Sequence, residues 1–94
     1  MDTECGIFIW DKNKELDNVK KHGIDFTAAA KAFLDSGRKI YTDYRHTASE
    51  ERFFCIGRVK NRILTVRFTY RQGRIRIFGA GYWRKGKRYY EKKD

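Results

Sequence analysis

The chain of 94 residues lacks proline and has only two cysteines and two histidines. Cys5 and Cys55 are too few for a disulfide framework, and together with His22 and His46 they show no spacing typical of a zinc site. We therefore expect two reduced thiols, with Cys55 in a strand, and neither a metal ion nor another cofactor.

Long hydrophobic stretches are also missing, since none approaches the roughly 20 residues that a helix needs to span a bilayer. The N-terminal region, with Asp2 and Glu4, lacks the basic start and apolar stretch of a secretion signal. We expect a cytoplasmic protein that does not bind membranes. A composition of 40% hydrophobic and 16% aromatic residues excludes a disordered basic tail and predicts one folded domain over residues 1–94.

The usual enzyme motifs are absent as well. Gly79 and Gly81 form only a lone G-x-G, which is no phosphate-binding loop, and there is no Ser/His/Asp hydrolase signature. His22 stands where a histidine caps a helix end, and His46 lies in a polar connection where we expect it to be exposed. Neither histidine by itself identifies a catalytic site.

Positive charge is concentrated in the second part of the chain. Residues 58–94 contain 13 Lys and Arg against two acids, a net of +11, whereas residues 1–57 come out at −1. Such an asymmetry raises the potential over one surface enough to attract a polyanion. Nucleic acid is therefore the first partner to consider.

Residue patterns in the first part of the chain predict one strand and two helices. Residues 6–10 form a short apolar run that is rich in β-branched and aromatic side chains, which is typical of a strand. A helix is predicted over residues 11–21, with Gly23 at its C-terminal end. A second helix is predicted over residues 26–34, where apolar residues recur at helical spacing.

The periodicity changes to nearly 2 after Gly37, which predicts strands. Four fit this stretch, over residues 39–43, 52–58, 62–70 and 74–80. The tight turns between them favour an antiparallel meander, and a short helix is predicted from about Arg84. We predict an α+β fold, with an antiparallel sheet of four to five strands, two N-terminal helices on one face and a short C-terminal helix.

Arginines on the predicted strands are the main chemical signal. Arg67 lies on the wetter face of its strand, and Arg74 and Arg76 share one face of the next strand, so that strand pairing can bring the three together. The aromatic and basic residues 82–85 follow. Guanidinium groups hold phosphates and aromatic rings accept unstacked bases, a combination typical of single-stranded RNA binding. The alternative is that these cations only solubilise the outer face of the sheet.

The chain also carries a set of spaced motifs: Phe8-Ile9-Trp10-Asp11, Lys14, Asn18, Lys21-His22-Gly23-Ile24-Asp25-Phe26, Ala32-Phe33, Glu51-Arg52-Phe53, Ile56-Gly57, Val66, Thr69 and Arg71. Together these segments, spread from about residue 8 to residue 91, resemble the BrnT family of toxins from bacterial toxin–antitoxin pairs. The most specific part is the Trp-Asp opening followed ten residues later by Lys-His-Gly-Ile-Asp-Phe.

The resemblance implies a RelE-like ribonuclease fold and arrest of translation by RNA cleavage. It also implies neutralisation by a cognate BrnA-like antitoxin with a ribbon-helix-helix domain, so that operator DNA is contacted only through the antitoxin. Lys14 and His22 match the family's motif, and we expect both to support the site.

The chain departs from the family after its last predicted strand. Members commonly read Ile-Ser-Ala-Arg there, with a glutamate downstream, whereas this chain reads Phe-Gly-Ala-Gly, so that Gly81 stands where the arginine would be. Three alternatives follow. Arg76, Arg84 or Lys85 supplies an equivalent charge, activity is reduced, or the chain belongs to a divergent branch with another target.

These observations predict a metal-independent endoribonuclease in which the ribose 2′-hydroxyl attacks the adjacent phosphate. The alternative is a non-catalytic basic module that binds RNA or its protein partner. The predicted catalytic residues are Arg67 and Arg76 as charge stabilisers and Tyr82 and Tyr90 as stack or acid. The predicted RNA-binding residues are Arg58, Arg74, Trp83, Arg84 and Lys85.

Overall fold

The computed structural model of the protein describes residues 2–46 and 49–92. Its strands are β1 (Asp2–Cys5), β2 (Phe8–Asp11), β3 (Lys39–Thr42), β4 (Phe53–Val59), β5 (Arg62–Arg71) and β6 (Arg74–Gly81). Its α-helices are α1 (Lys12–His22), α2 (Phe26–Ala30) and α3 (Arg84–Glu91), and 3₁₀ helices cover Lys31–Leu34 and Tyr44–His46. Each strand and helix that the sequence predicted is present.

The strands form one six-stranded mixed sheet in the order β1-β2-β6-β5-β4-β3. Strands β3 to β6 make the predicted antiparallel meander, whereas β2 pairs with β6 in parallel. The α+β class is confirmed, and the structure adds strand β1, which the sequence did not predict. Its signal is weak because its residues are largely exposed and show no buried alternate face.

Local sequence sets both ends of α1. The Asp11 carboxylate accepts a hydrogen bond from the backbone N–H of Lys14 at 3.1 Å, which caps the first turn. At the other end, Gly23 adopts a left-handed conformation with φ of 70°, and its N–H donates to the Val19 carbonyl at 2.8 Å. The predicted helix is therefore confirmed, with each end one residue later than predicted.

One carboxylate links β2 to the helices α1 and α2. Glu15 of α1 accepts a hydrogen bond from the Trp10 indole N–H at 3.1 Å and another from the Phe26 backbone N–H at 2.9 Å. Trp10 and Phe26 are buried and pack edge to face, with ring centres 6.0 Å apart. Glu15 thus fixes β2, α1 and α2 relative to each other.

The second predicted helix is divided into two parts. Asp25 caps α2 by accepting from the Ala28 N–H at 2.8 Å, and after Ala30 the chain tightens into a 3₁₀ helix. This helix passes close to β4, where a Cβ atom on Gly57 would overlap the backbone of Ala32. The Ile-Gly pair of the sequence motif therefore permits this close packing.

The sheet packs on both faces. The core cluster joins side chains of α2 and the following 3₁₀ helix to Leu64, Val66 and Phe68 of β5. The alternate residues of β5 point the opposite way, where Thr65 lies against Gly86 of α3. We call this opposite side the α3 face. Helix α2 and the 3₁₀ helix thus lie on the core face, as predicted, whereas α1 contributes no side chain to the core cluster and lies beside β6, and α3 lies on the opposite face.

Asn18 of α1 replaces a neighbouring strand beside the end of β6. Its side-chain amide donates to the Ala80 carbonyl at 3.0 Å and accepts from the Ala80 N–H at 3.1 Å, and it also donates to the Ile24 carbonyl at 2.9 Å. Asn18 is buried, so these bonds satisfy backbone groups that water does not reach. This explains an asparagine at this position of the motif.

Candidate nucleic-acid interface

Three arginines at one end of β5 and β6 face carboxylates, and we call them the paired edge. Arg76 and Asp2 form a two-point ion pair with both N···O distances at 3.0 Å. This hydrogen bonding lowers the pKa of Asp2 and raises the pKa of Arg76. The other two pairs are Arg74 with Glu4 at 2.7 Å and Arg71 with Glu50 at 3.0 Å. Two of the three carboxylates belong to β1, so the N-terminal strand neutralises this edge of the sheet.

A second group of cations surrounds Phe78 in the middle of the α3 face. Phe78 is the extra residue of a β-bulge in β6, next to Gly79, which pairs with Arg67 of β5. The guanidinium carbon of Arg52 lies 4.5 Å from the centre of the Phe78 ring, and the Lys14 Nζ atom lies 5.7 Å from it. We call Lys14, Arg52, Arg67 and Phe78 the Phe78 cluster. Its members come from α1, the start of β4, β5 and β6.

Arg67 differs from the arginines of the paired edge. It is half-buried, and its side chain forms no hydrogen bond or ion pair with another of residues 2–46 and 49–92. Val66 and Phe68 on either side of it belong to the core cluster, so Arg67 points to the α3 face. A guanidinium with this surrounding can bind a phosphate without first losing a carboxylate partner.

A third group of cations lines a cleft of about 490 Å³ near the turn between β4 and β5. The Arg62 guanidinium carbon lies 3.5 Å from the centre of the Tyr82 ring, a close cation–π contact. We call this the terminal cleft, and its main side chains are Arg58, Arg62, Tyr82, Arg84 and Lys87, with Glu91 as an acid among them. It combines predicted RNA-binding residues with a predicted catalytic tyrosine.

The four residues predicted as catalytic do not form one pocket. Arg76 is in the paired edge. Tyr82 follows the last residue of β6 and is six residues from Arg76, which separates the two by roughly 20 Å at about 3.3 Å per residue. Arg67 lies between these two positions. Tyr90 is elsewhere, because its hydroxyl donates to the Asp35 carboxylate at 2.6 Å.

The Asp35 carboxylate holds α3 against the rest of the fold. Besides the Tyr90 hydroxyl it accepts the backbone N–H of Arg58 at 2.7 Å and that of Gly37 at 2.9 Å. The hydrogen bond from Tyr90, followed by that from Arg58, lowers the pKa of Asp35, and the same bond raises the pKa of Tyr90. A tyrosine whose proton is held in this way is a poor candidate for a general acid.

Gly81 is buried beneath the Trp83 indole. A Cβ atom on Gly81 would overlap the Trp83 ring, so the tryptophan occupies the space that a side chain at position 81 would need. The Trp83 ring also meets His22 edge to face, with ring centres 5.5 Å apart. The absence of the expected arginine is therefore matched by a tryptophan two residues later. His22 lies against this tryptophan, about two helical turns from Lys14.

Sequence reasoning gave Arg52 and Phe78 no role in the site. Arg52 stood in the Glu51-Arg52-Phe53 motif, and the alternation of β4 already put it on the face opposite Phe53. Phe78 gave no comparable signal, because the bulge that exposes it depends on the pairing between β5 and β6. The side chain of His46 lies outside the part of the chain that the structure describes.

Comparison with known protein families shows to which of them the chain is related. Residues 10–86 match the family model described as a ribonuclease toxin, BrnT, of type II toxin-antitoxin systems. The chain belongs to the BrnT family. No curated protein matched it.

The BrnT match includes the whole Phe78 cluster and leaves out β1. The carboxylates of Asp2 and Glu4, which neutralise two arginines of the paired edge, thus lie outside the matched segment. As a BrnT-family ribonuclease toxin of a type II system, the protein has RNA and an antitoxin as its expected class of partners. The Phe78 cluster and the terminal cleft each gather cations on the α3 face.

Two further observations concern residues 2–46 and 49–92. Within these residues no group of three or more His, Cys, Asp and Glu side chains has a metal-binding arrangement. None of the helices in the same residues is long and apolar enough to cross a membrane. Cys55 is buried in β4, and burial raises the pKa of its thiol to about 12, so it stays protonated at neutral pH.

Proposed function

We propose that this BrnT-family toxin cleaves single-stranded RNA at the Phe78 cluster, without a metal ion, and thereby arrests translation. One observation carries the proposal: Lys14 and Arg52, from separate parts of the chain, lie over the half-buried Phe78 ring, and Arg67 pairs with the neighbouring Gly79 on the same sheet. Convergence from distant segments is what a preorganised phosphate site requires.

In the proposed reaction the ribose 2′-hydroxyl loses its proton and its oxygen attacks the adjacent phosphorus. The bond from phosphorus to the 5′-oxygen breaks, and that oxygen takes up a proton. The products are a 2′,3′-cyclic phosphate and a 5′-hydroxyl end. Negative charge builds up on the phosphoryl oxygens, and Arg67 stabilises it while Arg52 and Lys14 hold the phosphate in place.

The remaining predicted residues take supporting parts in this proposal. The terminal cleft holds the flanking phosphates through Arg58 and Arg84, and Tyr82 offers a ring for a base. His22 supports Trp83. Arg76 contributes only when its pairing with Asp2 is broken. Tyr90 is left out of the reaction, because its hydroxyl already donates to Asp35.

RNA cleavage by the purified chain tests the proposal. Single-stranded RNA incubated in EDTA should yield fragments with 2′,3′-cyclic phosphate ends, and Arg67→Ala should slow cleavage by about 100-fold. Lys31→Ala is the matched control, since it removes one positive charge from the exposed surface of the 3₁₀ helix on the other side of the sheet. Cleavage that needs a divalent ion, or an Arg67→Ala variant as fast as its parent, would show the proposal to be wrong.

Expression of the chain alone tests the cellular effect. Growth arrest with loss of RNA is expected for the parent and not for an Arg67→Ala, Arg76→Ala double variant. Of the two single variants, Arg67→Ala should relieve the growth arrest more than Arg76→Ala, because Arg76 is paired with Asp2. Identical growth of the parent and double-variant cultures would remove the toxin activity.

We further propose that a BrnA-like antitoxin with a ribbon-helix-helix domain neutralises the chain and alone contacts operator DNA. The match to a toxin family of type II toxin-antitoxin systems supports an antitoxin partner for this chain. A small adjacent gene for such a protein, and its co-purification with this chain, are the expected observations.

A second candidate function is a basic module that binds RNA or its antitoxin without cutting. The specific observation in its favour is that three arginines are neutralised and that Trp83 fills the place of the family arginine at Gly81. RNA that binds the purified chain and remains intact over many hours, with no growth arrest on expression, would establish this alternative.

A further inference from the structure

An open groove of about 550 Å³ lies on the α3 face between α3 and the segment that follows β3. Five aromatic side chains line it, and we call it the aromatic groove: Tyr41, Tyr44, Phe54, Trp83 and Tyr89. Its floor includes Phe54 and Thr65 of the sheet. The volume falls in the range of small-ligand sites, about 300–1,000 Å³, and is ample for a nucleobase.

The rings of the groove differ in whether they pack against another ring of the protein. Tyr41 and Tyr89 contact each other, with ring centres 4.9 Å apart, and this pair closes one side of the groove. Tyr44 is 87% exposed and has no ring contact with another residue of the described chain. An aromatic ring left this open beside an apolar floor is a surface on which a flat, unstacked ring can stack.

Charges at the groove favour RNA as its occupant. Lys85 and Arg45 line it, and the Lys85 Nζ atom lies 5.9 Å from the centre of the Tyr89 ring. The one acid among the lining residues is Asp43, which is buried and has partners within the protein, including the backbone N–H of Arg45 at 3.2 Å. Cations beside open aromatic rings fit the alternating phosphates and bases of a single strand.

The groove and the Phe78 cluster are neighbours on the sheet. Phe54 in the floor of the groove pairs across the strands with Arg67, the central cation of the cluster. Two residues that lie directly opposite each other on neighbouring strands have Cβ atoms about 5 Å apart. This distance is shorter than the spacing between successive nucleotides of an extended RNA strand. A base in the groove can therefore belong to a nucleotide next to the phosphate at Arg67.

We propose that the aromatic groove binds one unstacked base of the RNA substrate, with Tyr44 as its open stacking platform. This inference rests on the proposed function in taking RNA as the ligand, and it adds the position of a base subsite beside the cleavage site. Because stacking on a ring tolerates every base, the groove selects single-stranded over paired RNA rather than one sequence.

Binding to RNA that resists cleavage tests the groove separately from the reaction. The probe is a fluorescently labelled octanucleotide of 2′-O-methyluridine, which lacks the attacking hydroxyl, and a second oligonucleotide has the same backbone with abasic sites. Tyr44→Ala should weaken binding of the uridine oligonucleotide about tenfold and leave binding of the abasic one unchanged. Tyr44→Phe, which keeps the ring, should bind both oligonucleotides like the parent.

Other outcomes would overturn the inference. Equal weakening with both oligonucleotides would mean that Tyr44 acts through the backbone or the fold, and no weakening with either would mean that the groove does not take a base. If Tyr44→Ala binds RNA normally and loses the co-expressed antitoxin, the groove is a protein-docking site and the inference is wrong. Arg67→Ala distinguishes the two proposals, because it should slow cleavage by about 100-fold while the dependence of binding on Tyr44 persists.

Discussion

Two groups of arginines on the same strands, β5 and β6, have opposite surroundings. At the paired edge, Arg71, Arg74 and Arg76 each face a carboxylate within about 3 Å. A few residues away, Arg67 has no such partner in the described chain and Arg62 lies over a tyrosine ring. The net charge of the chain therefore overstates the positive charge available to bind RNA, because carboxylates within the fold neutralise part of it.

The comparison also separates stabilising from functional charge. Ion pairs at the exposed paired edge add little stability, because solvent screens them and the side chains lose freedom. Their clearer effect is to make the N-terminal strand a competitor for two guanidiniums that would otherwise face solvent. The Phe78 cluster brings Lys14 and Arg52 to one ring beside Arg67, and of these three Arg67 has no carboxylate partner within the described residues.

The largest expected effect separates Arg67 from Arg74. Arg67→Ala should reduce the rate of RNA cleavage by about 100-fold, because an unpaired cation near the phosphate is removed. Arg74→Ala should change the rate by less than about threefold, because Glu4 already neutralises this side chain. Single-turnover cleavage at saturating protein gives both rates. Equal losses of cleavage rate in the two variants would contradict the proposed difference between an arginine without a carboxylate partner and a paired one.

An arginine at position 81 should destabilise the folded protein, because its side chain overlaps the Trp83 ring. Gly81→Arg introduces the arginine that the family resemblance leads us to expect, but its side chain must displace the Trp83 ring, and such overpacking costs about 2 kcal/mol. Thermal unfolding should shift down by about 10 °C. In the Gly81→Arg, Trp83→Ala double variant the space is vacated, and most of the lost stability should return. A Gly81→Arg variant as stable as its parent would contradict this packing.

Removing the acids of β1 should make the paired edge resemble the Phe78 cluster. Asp2→Asn with Glu4→Gln frees Arg74 and Arg76 for phosphates, so RNA affinity should rise several-fold. The plot of log affinity against log salt should steepen by about 0.7 for each new phosphate contact. Titrations of 2′-O-methyl RNA at three salt concentrations measure this slope. Asp25→Asn with Asp17→Asn is the charge-matched control on the helical side, and its slope should change less.

The smallest effect concerns Asp35, whose hydrogen bonds come from a phenol and the backbone rather than from a guanidinium. Its pKa is lowered in the folded protein, so its contribution to stability is present above the ordinary value of 3.8 and is lost as the pH falls below it. The contribution should be below about 1 kcal/mol because the group is partly exposed. Urea unfolding at several pH values should show a smaller acid-dependent loss in Asp35→Asn than in the parent.

Much of the fold could be predicted from local sequence. The caps of α1 at Asp11 and Gly23 carry their own hydrogen bonds, and the alternation of residues 62–70 gave the two faces of β5. The resemblance to BrnT toxins was confirmed over residues 10–86. Strand β1 was missed because an edge strand with exposed side chains needs only a neighbour's backbone, which leaves no hydrophobic pattern.

The candidate site could be predicted only in its residue types. Arg67 and Lys14 were selected from the sequence for the site or its support, and both lie in the Phe78 cluster. The pairing of Arg76 with Asp2 joins residues 74 positions apart and follows from the order β1-β2-β6. The catalytic roles of these residues stay predictions until cleavage is measured.

The sequence by itself determined the class of the fold, the helix ends, the excess of positive charge and the family, because each depends on residue type or on neighbours a few positions apart. Only the tertiary structure decided which cations are neutralised, that Trp83 takes the place of a side chain at Gly81, and that Lys14 and Arg52 meet at Phe78. The physical reason is that electrostatic energy and steric overlap depend on distances in space, and strand pairing sets those distances between segments far apart in the chain.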